Sequence, residues 1–131
     1  MYNETITFYS KTPPNKQELQ HFNVKHYEDN NICWDDLEVF LLIEESIIKD
    51  FWFTGDTAII TTACASIFWE SIIGLPIHEV LGMNYKTIEE LIDMEVSSRR
   101  KQASVLWLLT TRNAIHNYLQ DDIVDSFDDI I

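Results

Sequence analysis

A chain of 131 residues with 46% hydrophobic residues is one domain's length and can bury a real core. Its formal charge of −13 repels phosphate backbones and argues against a nucleic-acid partner. Two cysteines are too few for a disulfide framework, no apolar run reaches a membrane span of about 18 residues, and no charged-then-apolar opening marks a signal peptide, so a cytoplasmic protein with free thiols is expected.

In residues 1–16, Tyr2, Ile6 and Tyr9 suit one face of a short helix. That helix should stop at Thr12, because a residue before proline disfavours the α region. A strand is expected around Phe22–Tyr27, followed by a polar loop, Glu28–Asn31. Leu37–Ile43 and Ile47–Thr54 are β-rich runs joined by Glu44, Glu45 and Ser46, which predicts an antiparallel hairpin. In the second run Ile47, Phe51 and Phe53 share the core parity, and Asp50, Trp52 and Thr54 share the wetter one.

Gly55 ends that strand, and Asp56 or Thr57 can N-cap a helix over 58–73 that stops at Gly74. Pro76 opens a short helix, Ile77–Leu81, with Gly82 behind it. Thr87-Ile88-Glu89-Glu90 has capping-box spacing, which predicts helix over Ile88–Met94. Ser97 or Ser98 should cap a last long helix with Val105, Leu106, Leu109, Ala114, Ile115, Tyr118 and Leu119 on its apolar stripe. One domain therefore spans 1–120, and the acidic tail 121–131 is either frayed or a docking segment. Strands grouped before helices predict an α+β fold, a three-stranded antiparallel sheet with helices packed on one face.

Several local patterns, in order, resemble the iron–sulfur cluster assembly scaffold family, that of IscU, SufU and the NifU N-terminal domain. Tyr2…Tyr9…Pro13-Pro14-Asn15 is similar to the family's opening. Cys33-Trp34-Asp35 is similar to its Cys-Gly-Asp ligand motif. Phe53-Thr54-Gly55 with Ile60, Ala63, Ala65-Ser66 and Gly74 is similar to its strand-to-helix segment. Arg99-Arg100-Lys101-Gln102-Ala103 is similar to its Arg-x-Lys-Cys-Ala motif. The resemblance covers nearly the whole chain. It implies a scaffold that receives sulfur from a cysteine desulfurase and assembles a [2Fe–2S] cluster on three cysteines and an aspartate, or in some members holds zinc there.

On that pattern Cys33 and Asp35 stand at the cluster site, but Ala58 and Gln102 stand where the other two cysteines are expected. Alanine has no donor atom, and a glutamine amide is a hard, weak ligand for iron–sulfide chemistry. Three readings follow. The chain is a scaffold-like protein with a degenerate cluster site at Cys33 and Asp35. Or it keeps the fold as a non-metal module that docks on a cysteine desulfurase or another assembly protein. Or Cys33, Asp35 and Asp56 hold a single iron or zinc ion.

Trp34 and the basic cluster Arg99, Arg100 and Lys101 are the candidate partner contacts; cations sit badly at a helix N-terminus, which favours an external counter-charge. Trp34 and Trp52 are the tryptophans expected to be exposed, and Trp69 and Trp107 read as core or cover. Cys64 reads as a small buried helix residue. His21, His26, His78 and His116 lack metal-ligand spacing and read as surface or packing residues. No P-loop, dinucleotide fingerprint, nucleophile elbow or zinc-protease motif appears, so no enzyme is expected.

Overall fold

A computed structural model describes residues 3–30, 34–92 and 96–131, without the side chain of Arg99. The elements run α1 (Glu4–Lys11), β1 (Val24–Asn30), β2 (Asp35–Glu44), β3 (Ile47–Thr54), α2 (Ile59–Ile67), α3 (Trp69–Ile72), α4 (Ile77–Leu81), α5 (Tyr85–Ile92), α6 (Ser98–Leu119) and α7 (Phe127–Ile130). The fold is α+β: one antiparallel sheet in the order β1-β2-β3, with helices packed on one face.

Alternation along β2 sends Leu37, Val39, Leu41 and Ile43 into the core, and Phe53 and Phe51 of β3 join them opposite Val39 and Leu41. The parity expected for β3 holds for Phe51 and Phe53 and fails at its start. Ile48, not Ile47, is buried, because the pairing steps from Leu42↔Asp50 to Ile43↔Ile48 and leaves Lys49 as an extra residue. This bulge flips every side chain on its N-terminal side to the opposite face. Glu45 and Ser46, both at positive φ (54° and 61°), make the two-residue turn of the hairpin.

β1 runs on through Glu28–Asn30, which the sequence suggests as loop. The polar residues are tolerated because α6 supplies partners. Asn113 Nδ2 donates to Glu28 Oε2 at 2.7 Å, and Asn117 Nδ2 meets His26 Nδ1 at 3.1 Å.

The helix expected over 58–73 divides at Phe68. Its ring stacks on Trp107, centroids 5.0 Å apart, while Trp69 turns outward to meet Trp52 edge-on at 6.1 Å. α5 begins at Tyr85, ahead of the expected start. Asn84 supplies the cap, its Oδ1 accepting from Lys86 N at 3.0 Å, and Thr87 lies inside the helix; Met94 lies outside the described residues. α4 stands where expected, and α6 starts where expected, with Ser97 at the N-cap position but making no side-chain cap bond.

α6 is the axle of the helical layer. Ala103–Thr111 is buried on all sides, more than a single stripe, and Thr110 and Thr111 satisfy their hydroxyls on the carbonyls of Leu106 and Trp107, at 2.7 and 2.6 Å. Tyr118 and Leu119, expected on the apolar stripe, are 39% and 45% exposed. The acidic segment 121–131 packs back on the domain, and α7 buries Ile130 in the core. No helix among the described residues is long and apolar enough to cross a membrane.

Candidate functional site

The sequence places its candidate site where the start of β2, the N-terminus of α2 and the N-terminus of α6 carry the motif residues. Cys33 lies outside the described residues. Trp34 is 89% exposed and has φ 55°, the left-handed backbone that glycine adopts at no cost.

Asp35 sits on the inner face of β2, 2% exposed. Its Oδ1 accepts from Ala58 N at 2.8 Å, and its Oδ2 accepts from the Thr61 hydroxyl. Ala58 is the N-cap residue of α2 and offers no side-chain bond of its own, so the cap expected from Asp56 or Thr57 is supplied across the fold by Asp35. Next in the chain, Asp36 Oδ1 accepts from Asp56 N at 2.8 Å, and Asp36 N donates to Asp56 O at 3.1 Å. Two consecutive aspartates thus clamp the loop 55–58.

Gly55 lets the loop approach. It has φ 133°, and a Cβ there would stand 2.9 Å from Leu37 Cα and collide with the Asp36 carbonyl. Among the described residues no cation bonds Asp35. Burial pushes its carboxyl up, the bonds from Thr61 and Ala58 pull it partly back, and the charges of Asp36 and Asp56 push it up again.

The remaining candidates are dispersed in role. Asp56 is exposed and Gln102 half-buried. Lys101 Nζ stands 5.0 Å from the centroid of the Tyr85 ring, a cation–π contact that commits it within the chain. Arg100 is exposed, and the side chain of Arg99 lies outside the described residues. Among the described residues no group of three His, Cys, Asp or Glu side chains is placed to hold a metal ion. Cys64 is buried in α2, its thiol pushed up to about 12 by desolvation.

Sequence reasoning missed Thr61 and Asp36. The signal for Thr61 was available: a hydroxyl three residues after Ala58 is where an N-terminal helix bond is made. It also missed a second polar cluster where the acidic tail meets α6. Asp125 Oδ2 accepts from Arg112 Nε at 2.9 Å and bonds His116 Nε2 at 3.0 Å; His116 Nδ1 meets Asp121 at 2.8 Å. Asn113 exchanges bonds with the Asp125 backbone. The position of Arg112, the last cation before a run of aspartates, was the legible hint.

Comparison with known proteins agrees with the geometry. The family described as NifU-like N terminal domain matches residues 1–124. The iron–sulfur cluster assembly scaffold protein IscU of Thermotoga maritima is 30% identical over 83 residues, 63% of this chain and 58% of that relative's length. Among solved structures, an iron–sulfur cluster assembly scaffold protein for the SUF system from Fervidobacterium islandicum AW-1 superposes with a TM-score of 0.76 at 21% identity, covering 87% of this chain and 96% of the other. The N-terminal part of a nitrogen-fixing NifU-like protein from Brucella abortus gives a TM-score of 0.74 at 13% identity, covering 92% and 95%. At these identities the two structures speak for the fold.

Proposed function

The chain belongs to the NifU-like N-terminal domain family of iron–sulfur cluster assembly scaffolds, and from that premise we propose that it serves cluster assembly as a partner-binding member whose own donors do not hold a cluster unaided. The observation that carries this reading is the state of Asp35. Both of its carboxylate oxygens are spent on the N-terminus of α2, so turning either toward a metal would uncap that helix.

The chemistry of the neighbours points the same way. A [2Fe–2S] cargo is held by thiolates, Ala58 offers no donor, and the Gln102 amide is a poor match for iron and sulfide. The residues present therefore do not fit the cluster. The same bonds count against a single-ion site on Cys33, Asp35 and Asp56. What this end of the molecule offers instead is an exposed indole, Trp34, held out on a left-handed residue beside a clamped loop. Exposed tryptophan is a strong interface anchor once a partner buries it. The partner class is an iron–sulfur assembly protein, a cysteine desulfurase in the first instance.

The test is the iron and acid-labile sulfide content of protein reconstituted without air, beside Cys33→Ser and a variant carrying both Ala58→Cys and Gln102→Cys. The expected result is no Cys33-dependent iron or sulfide in the native chain and a gain in the double variant. About two irons and two sulfides per chain, lost in Cys33→Ser, would overturn the reading. A desulfurase pull-down lost on Trp34→Ala is the matching positive result.

A further inference from the structure

The two edges of the sheet are finished differently. At the β3 edge, Lys16 bridges to Phe53, whose N donates to Asn15 O at 3.0 Å. Near the start of β3, Gly74 N donates to Ile48 O at 2.7 Å and Ile48 N donates to Leu75 O at 3.0 Å. Loop backbone thus covers that edge at two places. Among the described residues, the backbone of Val24–Asn30 in β1 pairs with β2 alone. A strand with one open edge carries a row of N–H and C=O groups that can template another strand. Side chains then decide what pairs there. Lys25, Tyr27 and Asp29 alternate on the exposed face of β1, Tyr27 at 51% exposure. His26 and Glu28 lie on the other face, bonded to each other at 2.7 Å and held by Asn117 and Asn113 of α6.

We propose that β1 is a self-pairing edge: two copies of this chain join antiparallel along it, Tyr27 facing Tyr27, into one six-stranded sheet. In a two-fold pairing with both helical layers on one side, opposed residues share a face, so the residue on the axis fixes the register. Charge selects that residue. With Tyr27 on the axis, Lys25 of each copy stands opposite Asp29 of the other, and His26 opposite Glu28. Lys25 on the axis would set lysine against lysine, and Glu28 or Asp29 would set acid against acid, each destabilising. His26 on the axis would set Lys25 against Tyr27 and Glu28 against Val24, with no opposite-charge pair. Of these five registers, only Tyr27 on the axis gives two Lys25–Asp29 pairs around an aromatic pair, and cross-strand pairs of both kinds are favourable. Two chains of net charge −13 repel, and the same local match offsets that repulsion along the seam while disfavouring strands of other sequence. Asn30 of one copy and Asn30 of the other lie six residues apart along the seam, about 20 Å, so the two Trp34 ends stay separate. The inference does not depend on the cluster chemistry above.

Sedimentation equilibrium of the full chain, in salt of about 0.15 M to screen the net charge, is the test. Seven residues of edge make a small interface, so a dimer with Kd on the order of 0.1 mM is expected. Lys25→Asp and Asp29→Lys are both at exposed positions, and each sets like charges across the seam twice. Each should weaken the dimer by about tenfold, and the two together, which restore opposite pairs, should return it to within about threefold of the native chain. A disulfide trap reads the register directly. In a Cys33→Ser background, Tyr27→Cys should cross-link to its own copy on mild oxidation, because directly opposed residues fall within disulfide reach. Lys25→Cys, whose twin stands four residues away along the seam, should not. The proposal is overturned if the chain is still monomeric at about 1 mM, which leaves the edge for a strand of another protein. It is equally overturned if neither charge reversal weakens the dimer, if the paired reversal fails to restore it, or if the trap closes at 25 and not at 27.

Discussion

The two ends of the molecule hold carboxylates in opposite ways. At the motif end, Asp35 and Asp36 are held by backbone N–H groups and one hydroxyl. At the tail end, Asp121 and Asp125 are held by Arg112 and His116, and Glu28 by His26 and Asn113. The electrostatic results differ in sign. Burial raises the Asp35 carboxyl, and its neutral donors do not overcome this. For Glu28 burial also pushes up, but the bonds from His26 and Asn113 and the His26 charge outweigh it. Desolvation likewise pushes Asp121 up, and its bonds to His116 and the Ile123 backbone prevail. A carboxylate with uncompensated charge is poised to meet something positive or to act as a cap; one with its own cation is structural glue. The motif end is built on backbone geometry and the tail end on charge.

Substitutions at four positions test that contrast. Gly55→Ala should cost the most, about 4 kcal/mol in a denaturant melt, from forced backbone and a clash with the Asp36 carbonyl. A cost below about 1 kcal/mol would mean the clamp is not rigid. Asp125→Ala should cost about 3 kcal/mol, since it strips a part-buried Arg112 of its carboxylate, leaving its bond to the Met83 carbonyl, and His116 of one of its two; unchanged stability would reduce the tail to a surface association. Asp35→Ala should cost about 2 kcal/mol, with Asp35→Asn less harmful because the amide oxygen can still accept from Ala58 N. Equal costs would show that the charge, not the cap, matters. Trp34→Gly should gain about 1 kcal/mol by relieving the left-handed residue, and should weaken partner capture at the same time. A variant that loses stability there would show Trp34 packing on the fold.

Acid sharpens the same comparison. A raised folded value at Asp35 penalises its charged form, so this carboxyl destabilises the fold increasingly as pH climbs from its unfolded value near 3.8 through the folded one. Glu28 and Asp121 have lowered values, so their contribution is full above the unfolded value and is lost as pH falls through the folded one. Amide exchange followed downward in pH should therefore show the tail and the C-terminal end of α6 opening before the loop 55–58. The reverse order would contradict the assignment of the two ends.

Much of this architecture is legible in the residues. The hairpin, the Pro76 helix and the start of α6 after Ser97 follow from local pattern, because each is specified within one short stretch. What local pattern misses is supplied from far away in the chain. The cap of α2 comes from Asp35, 23 residues earlier, and the support for Glu28 comes from Asn113, 85 residues later. The Lys49 bulge depends on how β3 meets its partner, which alternation within β3 cannot report. Motif spacing picks out Asp35 as notable, but its engagement with Thr61 appears only once strand and helix are brought together.

Cys64 has a use of its own. It is fully buried on α2, and its thiol is held at about 12, so neither access nor ionisation lets an alkylating reagent reach it in the folded chain. Label can enter only when α2 parts from the layer beneath it. Mass added at Cys64 over time is a built-in clock for that opening, needing no inserted probe.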